Sequence, residues 1–181
     1  PVPLVLPQIA LLKISDPVVQ NPDGTFTVQF TVRARNVGNR DLFNVQVRDL
    51  LSSASNYGTF NNTAVSSGDL SAGEYFISTA PVLNILGGTP TLTLNTNYNG
   101  SSDANLLTLN TGDTLNIGDE IEFVYSITMN HSTISPTPNY TNSAIAFGYL
   151  TDDINNNIPA DPDLPTDADT SDTSNDNSYY D

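Results

Sequence analysis

Cysteine is absent from the chain, and with it go disulfides, zinc–thiolate sites and thiol nucleophiles. Basic residues are scarce: 5 Lys and Arg stand against 20 Asp and Glu, a formal net charge of −15 over 181 residues. So few cations cannot displace the counterions of phosphates, which argues against nucleic acid as a partner. The same shortage argues against an anionic membrane surface. No apolar run reaches the roughly 18 residues that a bilayer span requires. One histidine is present, His131 beside Ser132. Nothing near it marks a positioned nucleophile and an oriented base, so a Ser–His–Asp hydrolase lacks its parts. The opening segment PVPLVLPQIALL has no basic region and holds three prolines, so it does not read as a signal peptide. With no initial Met, the chain is expected to be a processed form or a module of something longer.

What is present is polar without being charged. Charged residues make up 14 %, against roughly 25 % in an average soluble protein, and 22 Asn and 21 Thr supply the polarity. All five basic residues fall in the first 48 positions beside three acids, so the head carries +2. Residues 49–181 hold 17 acids and no Lys or Arg. Such an end-to-end charge asymmetry bears on association and not on fold.

Hydrophobic periodicity predicts strands. Phe26, Val28, Phe30 and Val32 alternate with polar residues after the Asn21–Gly24 turn, the period-2 signature of a half-buried strand. Val45, Val47 and Asp49 share one face of a second strand. Leu92 and Leu94 mark a third, the run Ile121, Phe123, Tyr125, Ile127, Met129 a fourth, and Ile145, Phe147, Tyr149 the last. No helical stripe is evident, and residues 52–90 give no clear alternation. Short strands between Gly, Asn and Asp turns predict an all-β fold, an Ig-like antiparallel β-sandwich with Greek-key connections. The expected organisation is an extended Pro-rich segment over 1–8, the sandwich over 9–150 and an Asp/Asn-rich tail over 151–181.

The run Gly24–Val32, followed by Asn36–Asn39 and Leu42–Asp49, resembles the repeat of the eleventh "domain of unknown function" family. Those are Ig-like modules that occur in tandem in large exported bacterial proteins. Asn105–Leu107, Leu115–Asp119 and Tyr140–Ala144 fit the same pattern, and Asp161–Asp163 with Thr166–Asp169 resembles the acidic joint between repeats. The resemblance covers roughly residues 9–176 and implies a stalk module of an extracellular, cell-surface fibre or adhesin.

Three residue groups could carry chemistry. Lys13 is the only lysine, in a segment where the resembled family often has one. Asp49 lies on the inward parity of its strand, a costly place for a carboxylate without a partner, and Asn142 opens the last strand. This order is similar to that of pilin and collagen-adhesin domains that form internal isopeptide bonds. The cross-link would join Lys13 to Asn142, with Asp49 as the promoting acid. Burial would leave the Lys13 amine uncharged and Asp49 protonated. The competing readings are a buried Lys13–Asp49 ion pair or a snorkelling lysine. The second group is Asp152, Asp153, Asp161, Asp163, Asp167 and Asp169, with Asn155 and Asn157. These are hard oxygen ligands suited to Ca²⁺, although no complete EF-type loop is present; the competing reading is a solvated acidic linker. The third is Val2, Leu4 and Leu6, an apolar side of the N-terminal segment that could contact a neighbouring copy by strand addition. Otherwise residues 1–8 are the spacer of a covalent tandem.

The function expected from these readings is structural: a module assembled head-to-tail with neighbouring copies, turning over no substrate beyond one autocatalytic bond. The alternative is an adhesin tip that binds glycan or ice, to which the row Thr89, Thr91, Thr93 could belong.

Overall fold

Alternation in the two longest well-patterned segments builds the first sheet of the computed structural model, which describes residues 6–52, 63–66, 68–130, 142–150 and 170–173. The strands in chain order are β1 (Ile9–Ser15), β2 (Val19–Gln20), β3 (Phe26–Asn36), β4 (Leu42–Arg48), β5 (Thr63–Ala64) and β6 (Glu74–Gly87). They continue with β7 (Thr93–Leu94), β8 (Leu107–Thr108), β9 (Thr114–Leu115), β10 (Glu120–Met129), β11 (Ile145–Tyr149) and β12 (Thr170–Thr173). In β3 the residues Val28, Phe30, Val32 and Ala34 are buried, and in β10 the residues Ile121, Phe123, Tyr125, Ile127 and Met129. The two strands pair antiparallel with Phe123 opposite Val32, Tyr125 opposite Phe30 and Ile127 opposite Val28. Directly opposed residues share a face, so the two apolar rows merge into one inner surface.

β1 lies on the far side of β3 and β6 on the far side of β10, giving the order β1-β3-β10-β6-β5, with β2 on the start of β3. A second sheet runs β12-β11-β4-β9, and β7 with β8 forms a short ribbon. Every ladder is antiparallel except β5 on β6. The fold is all-β, with no helix among the described residues. Leu11, Val32, Ile121 and Phe123 of the first sheet meet Leu42, Val45, Val47, Leu115 and Ala146 of the second in one core. Each of the larger side chains contributes about 1.5–3 kcal/mol by leaving water.

Strand directions fix two poles. At one, Asn36 opposes Ile9, its Nδ2 donates to the Leu115 carbonyl at 2.9 Å, and Leu115 pairs with Leu42. At the other, Ile145 opposes both Arg48 and Thr173, beside Asp49, which Lys13 reaches at 2.5 Å. β1 therefore starts at the Leu42 pole, and β12 ends at the Asp49 pole.

Four elements differ from the sequence expectation. β6 falls inside residues 52–90, where no strand is evident from the pattern. It carries Pro81 and has register shifts against β10, where Thr79 opposes Ser126 and Val82 opposes Val124 with Tyr125 unmatched between them. A bulge needs no ladder donor, so it accommodates proline and destroys the alternation. The expected third strand shrinks to Thr93–Leu94. In β11 the small Ala146 opposes Val47 on the core side, while Ile145, Phe147 and Tyr149 are buried on the other face. β12 adds a further strand from within the stretch whose composition reads as a tail.

Candidate functional site

Among the described residues, the face between the two sheets carries one charged pair. Ile9, Leu11 and Lys13 share the inward parity of β1, and Val45, Val47 and Asp49 that of β4 and its extension; Lys13 is 5 % exposed and Asp49 fully buried. Lys13 Nζ donates to Asp49 Oδ2 at 2.5 Å and sits 4.5 Å from the centre of the Phe30 ring. The Tyr125 hydroxyl donates to the same Oδ2. Tyr98, from the loop between β7 and β8, donates to the Asp49 backbone carbonyl at 3.1 Å, and its ring meets that of Tyr125 edge-on at 5.3 Å. Tyr75 closes the wall by donating to the Asn99 and Gly100 carbonyls.

The loop bearing Tyr98 is shaped by its polar residues. Asn95 Nδ2 donates to Asp103 and to the Asn105 carbonyl, both at 2.9 Å. Gly100 adopts φ +68°, with no room for a Cβ, which would stand 2.5 Å from Leu51 Cδ1. Glycine is the residue that takes this backbone without penalty.

Electrostatics in this enclosure follow from burial. Desolvation pushes the Lys13 amine below its usual value against the opposing pull of the Asp49 charge and hydrogen bond. Desolvation, aided by Asp49, holds the Tyr125 and Tyr98 hydroxyls well above theirs. Both tyrosines are therefore proton donors across the ordinary pH range.

Beside Arg48 Nε and Asn105 Oδ1, two further buried polar groups near this pole have no hydrogen-bond partner among the described residues. One is Asp49 Oδ1; the other is the whole carboxamide of Asn142, Nδ2 and Oδ1 alike. A buried polar group left unpaired costs about 1–3 kcal/mol. Asn142 lies three residues before β11, half-buried as a whole but with both polar atoms of its carboxamide enclosed. The register with Ile145 opposite Arg48 brings the start of β11 to the Asp49 end of β4, and β11 packs beside β1. Asn44 also has an unpartnered amide, but it sits at the β4 bulge with φ 49°, away from the Lys13 pole.

The structure thus brings Lys13 and Asp49 into contact and places Asn142, three residues before β11, towards the same pole. Sequence reasoning missed Tyr125, Tyr98 and Phe30 as members of this cluster. The signal for Tyr125 was present, since a hydroxyl on an otherwise apolar inward row needs a partner. Tyr98 had none, because a loop residue shows no periodicity.

The other candidates separate clearly. Asp152, Asp153, Asp161, Asp163, Asp167 and Asp169 lie outside the described residues, as do Val2, Leu4 and His131. Leu6 is 51 % exposed, yet its backbone is committed: its N–H donates to Asn39 Oδ1 and its carbonyl accepts from Asn39 N–H. The Gln8 carbonyl accepts from Val37 and Gly38. Thr91 is tied to Thr114 and to the Gly112 carbonyl. Comparison with known proteins returns no matching family model, no matching curated sequence and no matching solved structure.

Proposed function

We propose that the chain is an Ig-like, Greek-key structural module of an extracellular fibre or surface adhesin, following its neighbours head-to-tail as one unit of a covalent tandem. The observation that supports this reading is the placement of the two ends: β1 starts at the Leu42 pole and β12 ends at the Asp49 pole. A unit entered at one pole and left at the other stacks into a line without turning back on itself. The contacts of Leu6 and Gln8 with residues 37–39 of their own chain favour covalent tandem over strand addition, because that backbone is already used. A buried Lys–Asp pair sealed by aromatic rings suits a rigid unit and offers no open substrate cleft.

Two copies expressed in series test the reading by small-angle X-ray scattering. In-line stacking gives a maximum dimension roughly twice that of one copy. A folded-back particle of nearly single-copy length overturns it. Sedimentation of the single chain with and without residues 1–8 separates the two modes of assembly: covalent tandem gives the same monomer for both, and strand addition gives a polymer only for the full chain.

A further inference from the structure

We propose that Lys13 Nζ and the Asn142 side chain become joined in an intramolecular amide bond, with Asp49 as the group that moves the proton. This assignment does not rest on the fibre reading and stands on three observations about the Asp49 pole. The amine is enclosed, held against Phe30 and Asp49 at 5 % exposure. The carboxyl uses Oδ2 for Lys13 and Tyr125 and leaves Oδ1 without a partner. The Asn142 carboxamide, three residues before the strand that starts beside Asp49, has both polar atoms buried and neither paired.

A simple ion pair accounts for the first of these and half of the second. It leaves Asp49 Oδ1 and the Asn142 amide unexplained, although native cores rarely leave such groups idle. A cross-link accounts for all three, since an amide seated at Asp49 turns the unpaired oxygen and the unpaired amide into partners.

The bond-forming sequence balances with no outside reagent. Lys13 passes one ammonium proton to Asp49, leaving a neutral amine and a carboxylic acid. The nitrogen lone pair attacks Asn142 Cγ, forming the Nζ–Cγ bond while the carbonyl π pair moves onto Asn142 Oδ1, where the Asp49 acid proton stabilises it by hydrogen bonding. As the carbonyl re-forms, the Cγ–Nδ2 bond breaks; Asp49 relays a second Nζ proton to Nδ2, which departs as ammonia. One Nζ proton stays on the new amide nitrogen and one on Asp49, which ends as the carboxylic acid, and nothing is oxidised or reduced. Tyr125 keeps Oδ2 anchored throughout, so the carboxyl stays oriented between amine and amide.

The test is the intact mass of the folded wild-type chain, followed by peptide mapping. The expected mass is about 17 Da below that of the sequence, the loss of one ammonia, with a branched peptide joining the Lys13 and Asn142 fragments. Lys13→Arg and Asn142→Ala should show full mass. Asn142→Asp should still cross-link, losing about 18 Da as water leaves in place of ammonia. Full mass in folded wild-type protein overturns the proposal, as does a mass loss that maps to other residues. The wild-type measurement decides even where a variant fails to fold.

Discussion

Tyr125→Phe isolates one hydrogen bond in the core. The hydroxyl donates to Asp49 Oδ2 on a carboxylate with no exposure. Phenylalanine keeps the ring, and so keeps the packing on Phe30 at 5.5 Å and on Tyr98 at 5.3 Å; no cavity larger than an oxygen atom is opened. With the substitution made in Asn142→Ala, where Lys13 keeps its amine beside the carboxylate, the loss is that of a hydrogen bond to a charged acceptor, about 1.5–3 kcal/mol. For a chain of this length each kcal/mol lowers Tm by about 2–4 °C, so a fall of about 3–12 °C is expected. Urea unfolding at neutral pH should show the midpoint moving at unchanged slope. Tyr98→Phe, also made in Asn142→Ala, provides the comparison: its hydroxyl donates to a neutral backbone carbonyl at 3.1 Å, worth only about 0.5–1.5 kcal/mol. Intact mass of both variants ensures that they are compared in one covalent state. A Tyr125→Phe loss below about 0.5 kcal/mol, or one smaller than that of Tyr98→Phe, refutes the assignment of Tyr125 as an anchor of Asp49.

Two further outcomes follow from the same geometry. In Asn142→Ala, Lys13 keeps its amine, whose proton affinity burial lowers from the ordinary 10.5; Asp49, Tyr125 and Tyr98 are the groups facing it. The unfolded chain then binds the extra proton, so stability rises as pH climbs towards 10.5 and is lost as pH falls through the lowered folded value. The raised tyrosines act in the opposite sense only above their ordinary value of 10.0. Denaturant titrations from about pH 7 to about pH 9.5 should show the rise, and a flat profile counts against a depressed Lys13. Gly38→Ala places a Cβ 2.5 Å from the Leu6 carbonyl oxygen and 2.6 Å from the Gln8 nitrogen. Residues 6–8 should detach and become a new site of proteolytic cleavage while the two sheets stay folded; unchanged protease resistance would show that this contact does not hold the segment.

Much of the architecture could be read from side-chain alternation. β3 and β10 carry uninterrupted period-2 rows, and the inward parity of Asp49 followed from its neighbours Val45 and Val47, whereas the run Leu11–Ile14 does not alternate and left the side taken by Lys13 to the tertiary structure. Where the pattern breaks, reading stops. β6 hides behind Pro81 and its bulges, and β11 turns its small residues to the core because Val45 and Leu42 already fill the space opposite, with only 3.2 Å from each to a Cβ at Gly148. Alternation reports which face of a strand is buried; it carries no information about which strand lies across. That Lys13 meets Asp49, that Tyr125 reaches the same oxygen from β10, and that the start of β11 arrives at the same pole were all decided by pairing between residues 36 to 76 positions or more apart in the chain. Local composition set the faces, and only closure of the two sheets brought an amine, a carboxyl and an amide to one end of the core.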